Sequence, residues 1–181
     1  RSILANPLDK EIQQKLNIKI KHRESFRPFA PAVLCDKFSE FFDFNSQKKL
    51  NISPYMLFVC MVKGFKKNDL EKYDWRELLK NNNSPLPGIT HVDGTARVQT
   101  VHRETNESFY NLINSFYILS GCPVVINTSF NVRGEPIVES PKQAYDCFMN
   151  TDMDYLILEN YLISKKDQPT SNRIKKIFEL D

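Results

Sequence analysis

Two short polar clusters, about a hundred residues apart, hold the side chains best suited to chemistry. The first is Lys21-His22-Arg23-Glu24, which runs into Ser25-Phe26-Arg27-Pro28-Phe29-Ala30-Pro31. The second is Asn127-Thr128-Ser129-Phe130-Asn131, directly after the apolar run Pro123-Val124-Val125-Ile126. On an extended segment the side chains at i and i+2 share a face. Lys21 and Arg23 are then expected to aim two cations the same way, and Ser129 and Asn131 two neutral hydrogen-bonding groups. A basic pair facing a Ser/Asn pair can cradle a polyphosphate and a small carbonyl compound. Taken alone, each pair also fits a plainer description: a solvated strand face for the cations, and turn residues bonding their own backbone for Ser129 and Asn131.

Two further stretches concentrate functional residue types. Residues 90–100 contain His91, Asp93 and Arg97, and Arg133-Gly134-Glu135-Pro136 is a turn-forming sequence. Open α/β sheets bind ligands beyond the carboxyl ends of their strands, which is where residues 127–131 are expected to fall. Arg97 by itself also fits a surface cation, and His91 beside a turn fits a structural role. Neither a P-loop, a dinucleotide fingerprint nor a Ser-His-Asp ordering occurs. Residue chemistry alone therefore stops at an anion-binding α/β domain.

The elements that must position these clusters follow from apolar periodicity and from breakers. Residues 7–16 have weak helical character, and residues 19–21 alternate polar and apolar as an extended lead into the basic cluster. Pro28 and Pro31 hold the next stretch out of a helix. The run Tyr55-Met56-Leu57-Phe58-Val59-Cys60-Met61-Val62 predicts a buried strand. Residues 66–83 are charged and irregular and are expected to form a surface excursion. Residues 97–101 alternate like a half-buried strand. Phe109, Leu112, Ile113, Phe116 and Leu119 recur at helical spacing, and Gly121 stops that helix. A short buried strand is expected at 123–126. Ser140-Pro141-Lys142-Gln143 has the pattern of a capping box with proline at the first helical position, opening a helix that buries Ala144, Cys147 and Phe148. Residues 155–158 form another apolar strand, and the polar tail from 165 to 171 is expected to be exposed. Strands mixed with helices argue for the α/β class.

The 181 residues suit one ordinary domain with a sizeable core, and the composition, 41% hydrophobic and 26% charged, is that of a globular protein. A formal charge of +3 suits an anionic ligand but falls short of the basic excess of nucleic-acid binders. No apolar stretch is long enough to span a bilayer. Cys35, Cys60, Cys122 and Cys147 are scattered without a C-x-x-C pair, which argues against a zinc site and predicts free thiols in a reducing cytoplasm. The opening Arg1-Ser2-Ile3-Leu4-Ala5-Asn6-Pro7 reads as the interior of a longer protein.

Three long motifs, "KHRESFRPFAPAVL", "THVDGTARVQTV" and "NTSFNVRGEPIVESP", together with the opening "RSILANP", resemble the C-terminal domain of NodU/CmcH-type carbamoyltransferases. The similarity runs from Arg1 to about residue 163. That resemblance implies a YrdC-like α/β domain: a twisted open mixed sheet with flanking helices around a basic cavity. It divides the chain into a junction (1–16), the YrdC-like domain (17–164) and a polar tail (165–181). It also implies that the K-x-R element Lys21-His22-Arg23 and the S-x-N element Ser129-Phe130-Asn131 bind nucleotide and substrate. Arg97 resembles a further phosphate-binding arginine, and Thr128 and Arg133 beside the S-x-N element are expected to contact the nucleotide.

The reaction implied is formation of carbamoyl-adenylate from ATP and carbamoyl phosphate, with Mg2+ accompanying ATP and held mainly by phosphates and water. A separate metal-containing N-terminal domain of the same polypeptide would then pass the carbamoyl group to a hydroxyl acceptor. Such chemistry needs positioning and charge stabilisation more than a nucleophile. A nucleic-acid-binding module, a non-catalytic structural domain and a threonylcarbamoyl-adenylate synthase are the competing descriptions. Nucleic acid is not an expected partner, nor is a membrane.

Overall fold

The computed structural model describes residues 1–44, 52–65 and 84–169. They divide into two units, one made of residues 1–3, 14–27 and 129 onward, the other of residues 4–13 and 28–128.

The second unit is organised by a mixed sheet. Its strands are β2 (Pro31–Leu34), β3 (Phe42–Asp43), β4 (Phe58–Val62), β5 (Thr95–Val101) and β6 (Val124–Ser129). With β1 (Ser2–Ala5) at one edge, the order is β1-β6-β2-β5-β4-β3. β2 runs parallel to β5 and antiparallel to β6, and β4 is antiparallel to both β3 and β5. β2, which lies between β6 and β5, is buried at all four positions, so both faces of the sheet are covered there.

The long helix α3 (Glu107–Ser120) covers one face of this sheet; α1 (Ile12–Lys15) and α2 (Phe38–Phe41) are single turns. Helix α3 and its left-handed stop at Gly121 are as expected; its start is capped by Asn106, whose side chain accepts from Phe109 N. Ile113 is fully buried against Ala32, Leu34, Val101 and Val125. Leu112 and Leu119, expected on the buried stripe, are 40% and 87% exposed, so the helix buries a narrower face than its sequence predicts. Ser53 locks the loop before β4 onto β5: its amide donates to Thr100 Oγ1 at 2.8 Å and its hydroxyl to Val98 O at 2.8 Å.

The apolar run at 55–62 is a strand only over Phe58–Val62. Met56 has a positive φ of 55°, and Tyr55, Leu57 and Val59 are exposed. The left-handed residue breaks the extended path, so the first half of the run is a turn rather than a buried strand. The excursion expected at 66–83 lies outside the described residues.

In the first unit, α4 (Pro141–Met149) begins as predicted, with Ser140 Oγ accepting from Gln143 N and Pro141 at the first turn. The reciprocal arm is displaced by one residue: Gln143 Oε1 accepts from Glu139 N at 2.7 Å. Ala144, Cys147 and Phe148 are buried, as expected, and α4 packs on β7 (Tyr155–Leu158). β7 pairs with β8 (Tyr161–Ser164), a strand the sequence did not suggest. Of β7 only Leu156 is buried, because a two-stranded hairpin shields one face. Lys165 is not a free tail residue. Its ammonium donates to Phe148 O and, at 3.0 Å, to Thr151 O, at the negative end of α4. None of the four cysteines is in a disulfide.

Candidate functional site

The first unit carries the basic cluster and, from Ser129 onward, the second polar cluster. The basic cluster is not on a strand. Residues Leu16–Lys21 form a π-helix, Lys21 is its last residue, and His22 follows in the left-handed conformation with φ 49° and ψ 53°. Wide π turns recur at functional positions, and a non-glycine residue in this region costs energy that the surroundings must supply. Lys21 and Arg23 are therefore oriented by a helix end and a reversing residue, not by strand alternation.

The second cluster begins earlier than expected. Asn127, Thr128 and Ser129 lie within β6, and the chain leaves the sheet only at Phe130. Asn131 N then donates to Ser129 O at 3.1 Å, a tight reversal that turns the carbonyls of both residues toward one point. Lys21 Nζ occupies that point. It lies 2.5 Å from Ser129 O, 2.9 Å from Asn131 Oδ1, 3.0 Å from Asn131 O and 3.3 Å from Ser129 Oγ. An ammonium has three protons, so these four oxygens occupy its whole donor capacity. Ser129 Oγ also donates to Asn131 Oδ1 at 2.7 Å, and Asn131 Nδ2 donates to Glu135 O at 2.8 Å. The K-x-R and S-x-N elements thus meet at Lys21, and every polar atom of the Asn131 side chain is engaged.

Electrostatics follow from burial. Lys21 is only 5% exposed. Desolvation, then the neighbouring charge of Arg23, bring its pKa down to about 8, against a small opposing pull from Cys147. Arg23 is shifted down by burial first and Arg27 second, with Glu24 opposing. It stays a cation at any ordinary pH. Burial also lowers His22, against the pull of Asp152.

Asn17 is the member of this cluster that the sequence reading missed. Its side chain is fully buried within the π-helix. Its Oδ1 accepts from Arg23 Nε at 2.7 Å, and its Nδ2 donates to Ser25 O at 3.1 Å and Arg27 O at 2.7 Å. Its carbonyl accepts from His22 N and, at 3.0 Å, from Arg23 N. In Asn17-Ile18-Lys19-Ile20-Lys21 the asparagine looks like one polar step of an alternating segment, and only the fold-back of residues 22–27 reveals its partners.

Arg133 is half-buried in the turn after the S-x-N element, where Glu135 N donates to Val132 O at 3.2 Å across Gly134 with φ 73°. Thr128 and Arg97 belong to the second unit. Thr128 is half-buried in β6, and Arg97 is exposed on β5, in register with Val59 of β4. Next to Arg97 on the same face of β5, Gln99 accepts from Asn127 Nδ2 at 2.8 Å and donates to Pro54 O at 3.2 Å. Among the described residues, no three His, Cys, Asp or Glu side chains gather as a metal site would require.

Comparison with known proteins identifies the family. A family model described as the carbamoyltransferase C-terminus matches residues 1–165. An uncharacterised protein of Synechocystis is 48% identical over the whole chain, which covers 30% of that relative. The nodulation protein NolO of Bradyrhizobium diazoefficiens is 41% identical over 92% of the chain and 27% of its own length. A 3'-hydroxymethylcephem-O-carbamoyltransferase of Amycolatopsis lactamdurans is 34% identical over 76% of the chain and 22% of its own length. The chain spans less than a third of the length of these curated relatives. The family match over nearly the full length, on a chain whose two motifs meet at one buried lysine, places this protein in the carbamoyltransferase C-terminus family.

Proposed function

We propose that this chain is the nucleotide-activating part of an O-carbamoyltransferase, binding ATP and carbamoyl phosphate and producing carbamoyl-adenylate. The observation that carries the reading is the convergence of Lys21 on Ser129 and Asn131 beside the guanidinium of Arg23. It supports an anion site because a buried ammonium and an adjacent guanidinium give a concentrated positive potential in a poorly screened place.

Atom balance fixes the steps. Water takes the phosphoryl group of carbamoyl phosphate and leaves carbamate and inorganic phosphate. A carbamate oxygen forms a bond to the α-phosphorus of ATP, the bond from that phosphorus to the bridging oxygen breaks, and pyrophosphate departs. Charge grows on the departing pyrophosphate, so fixed cations already in place lower the barrier without a protein nucleophile. Arg23, a planar fork, is the phosphate contact. Lys21 contributes charge and ties Ser129 and Asn131 in place, and a phosphate oxygen reaching its ammonium must displace one of the four protein oxygens. Ser129, Asn131 and Arg133 orient the carbamoyl and phosphate oxygens. Mg2+ would accompany ATP, carried on its phosphates and on water. Transfer to a hydroxyl acceptor is assigned to the longer polypeptide that relatives of this family possess.

Calorimetric titration of the chain with ATP, with and without carbamoyl phosphate, tests the reading. Wild type should bind ATP, and Arg23→Ala should weaken binding by roughly 1.5–3 kcal/mol, the range for a hydrogen bond to a charged group. Equal affinities would remove Arg23 from the site, and absence of ATP binding by wild type would defeat the assignment.

A further inference from the structure

We infer that Asn17 is a positioning residue, a buried amide that sets the direction of the Arg23 guanidinium and holds residues 22–27 folded back on the π-helix. The inference rests on the nucleotide-binding reading above for its functional consequence, but its geometry stands independently.

The side chain leaves no ambiguity in orientation. An amide has two donor protons and one acceptor oxygen. Here both protons go to carbonyls, those of Ser25 and Arg27, and the oxygen faces a donor, Arg23 Nε. The reversed amide would set NH2 against Nε–H and an oxygen against two carbonyl oxygens, which is repulsive at all three places. Only an asparagine-sized group with one acceptor and two donors satisfies this arrangement. Aspartate keeps the partner for Arg23 and loses both carbonyl partners. Leucine, similar in bulk, loses all three.

The choice of atom on Arg23 matters. A guanidinium has five protons, and its Nε–H is the one nearest the chain. Fixing Nε–H on a buried acceptor fixes the plane of the group, and the plane decides which way its fork faces. Asn17 O accepts from the amides of His22 and Arg23, so backbone and side chain of one residue hold the reversing turn from both sides. The positive φ at His22 is held in place by the same set of bonds.

The test has two readouts. In 15N spectra of the chain, the Arg23 Hε resonance, assigned by its loss in Arg23→Ala, should be sharp and slow to exchange with water in wild type. It should persist in Asn17→Asp and collapse to the fast-exchanging pool in Asn17→Leu and Asn17→Ala. An unchanged resonance in the last two overturns the inference, whatever the chain binds. The second readout is a double-mutant cycle on ATP affinity. Asn17→Ala should weaken ATP about tenfold in wild type and less than twofold in the Arg23→Ala background, because Asn17 acts through Arg23. Equal losses in both backgrounds would make Asn17 a general stabiliser and also overturn the inference. Asn17→Asp keeps the test decisive if the alanine variant does not fold. It should retain the Arg23 resonance yet lose ATP affinity, since its carboxylate cancels the local positive charge. Failure of wild type to bind ATP would defeat the nucleotide reading, while the Arg23 resonance would still judge Asn17.

Discussion

The ammonium of Lys21 lies 2.9 Å from the side-chain oxygen of Asn131 and 3.0 Å from its carbonyl oxygen, across 110 positions of sequence. The Nδ2 of the same asparagine donates to Glu135 O, so one residue joins the buried charge to the turn that bears Arg133. A site built this way responds to small changes in charge at Lys21 and in hydrogen-bond polarity at Asn131.

Lys21 makes stability depend on alkaline pH. Its pKa is about 8 folded and near 10.5 when free. Between those values the unfolded chain binds more protons than the folded one, so this group makes unfolding less favourable as pH rises from 8 to 10.5. Relative to Lys21→Met, wild type should gain up to about 3 kcal/mol over that window, and the difference should be flat below pH 7. Denaturant titrations of both proteins at pH 7 and pH 10 measure it. ATP affinity should move the opposite way, falling above pH 8 as the ammonium is lost.

Asn131→Asp changes one atom and two interactions. The carboxylate would sit on the Lys21 ammonium and raise its pKa, while the donation to Glu135 O is lost. The expected outcome is a folded protein that binds ATP at least about tenfold more weakly, roughly 1.4 kcal/mol, with its alkaline stability gain moved to higher pH. Calorimetry and the same pH series check both effects, and wild-type affinity would show that the site's net charge is irrelevant to its ligand.

Much of this arrangement was legible in the sequence, though not its support. The pairing of Lys21 with Ser129 and Asn131 could be anticipated from the K-x-R and S-x-N spacing and the family resemblance. The carrier could not, because a π turn has neither the period of 2 nor that of 3.6, and Ile18 and Ile20 between polar neighbours imitate a strand. Asn17 escaped notice for the same reason. Helices α3 and α4 were readable because Gly121, Ser140 and Pro141 act locally. Tyr55, Leu57 and Val59 misled because an apolar run does not disclose the left-handed backbone at Met56 that interrupts it.

Arg97 offers a cheap test of the resemblance. Its side chain is exposed on β5, so Arg97→Ala should alter stability by no more than about 0.5 kcal/mol. ATP affinity should nevertheless drop by roughly 1.5 kcal/mol if this guanidinium meets a phosphate. Unaltered ATP binding would assign Arg97 to the surface alone.

Gly94→Ala probes the loop that precedes β5. Gly94 has φ 81°, and an added Cβ would lie 2.2 Å from Phe65 Cδ1. Gly94 O also accepts from Val62 N at 2.9 Å, so the loop cannot withdraw without breaking a backbone bond. The variant should lose about 1–3 kcal/mol, read from its denaturation midpoint. A midpoint equal to wild type would mean that the Phe65 ring and the backbone relax at no cost.

The first unit is assembled from separated stretches of sequence, residues 1–3 and 14–27 early in the chain and residues from 129 onward. During synthesis, every residue of the sheet-bearing unit is polymerised before Ser129 and Asn131 are added. Until then Lys21 has only solvent to bond, and closing so long a loop is entropically slow. The anion cradle therefore cannot close until residue 131 has been made, and a chain ending before Ser129 would hold Lys21 without any of its four oxygen partners.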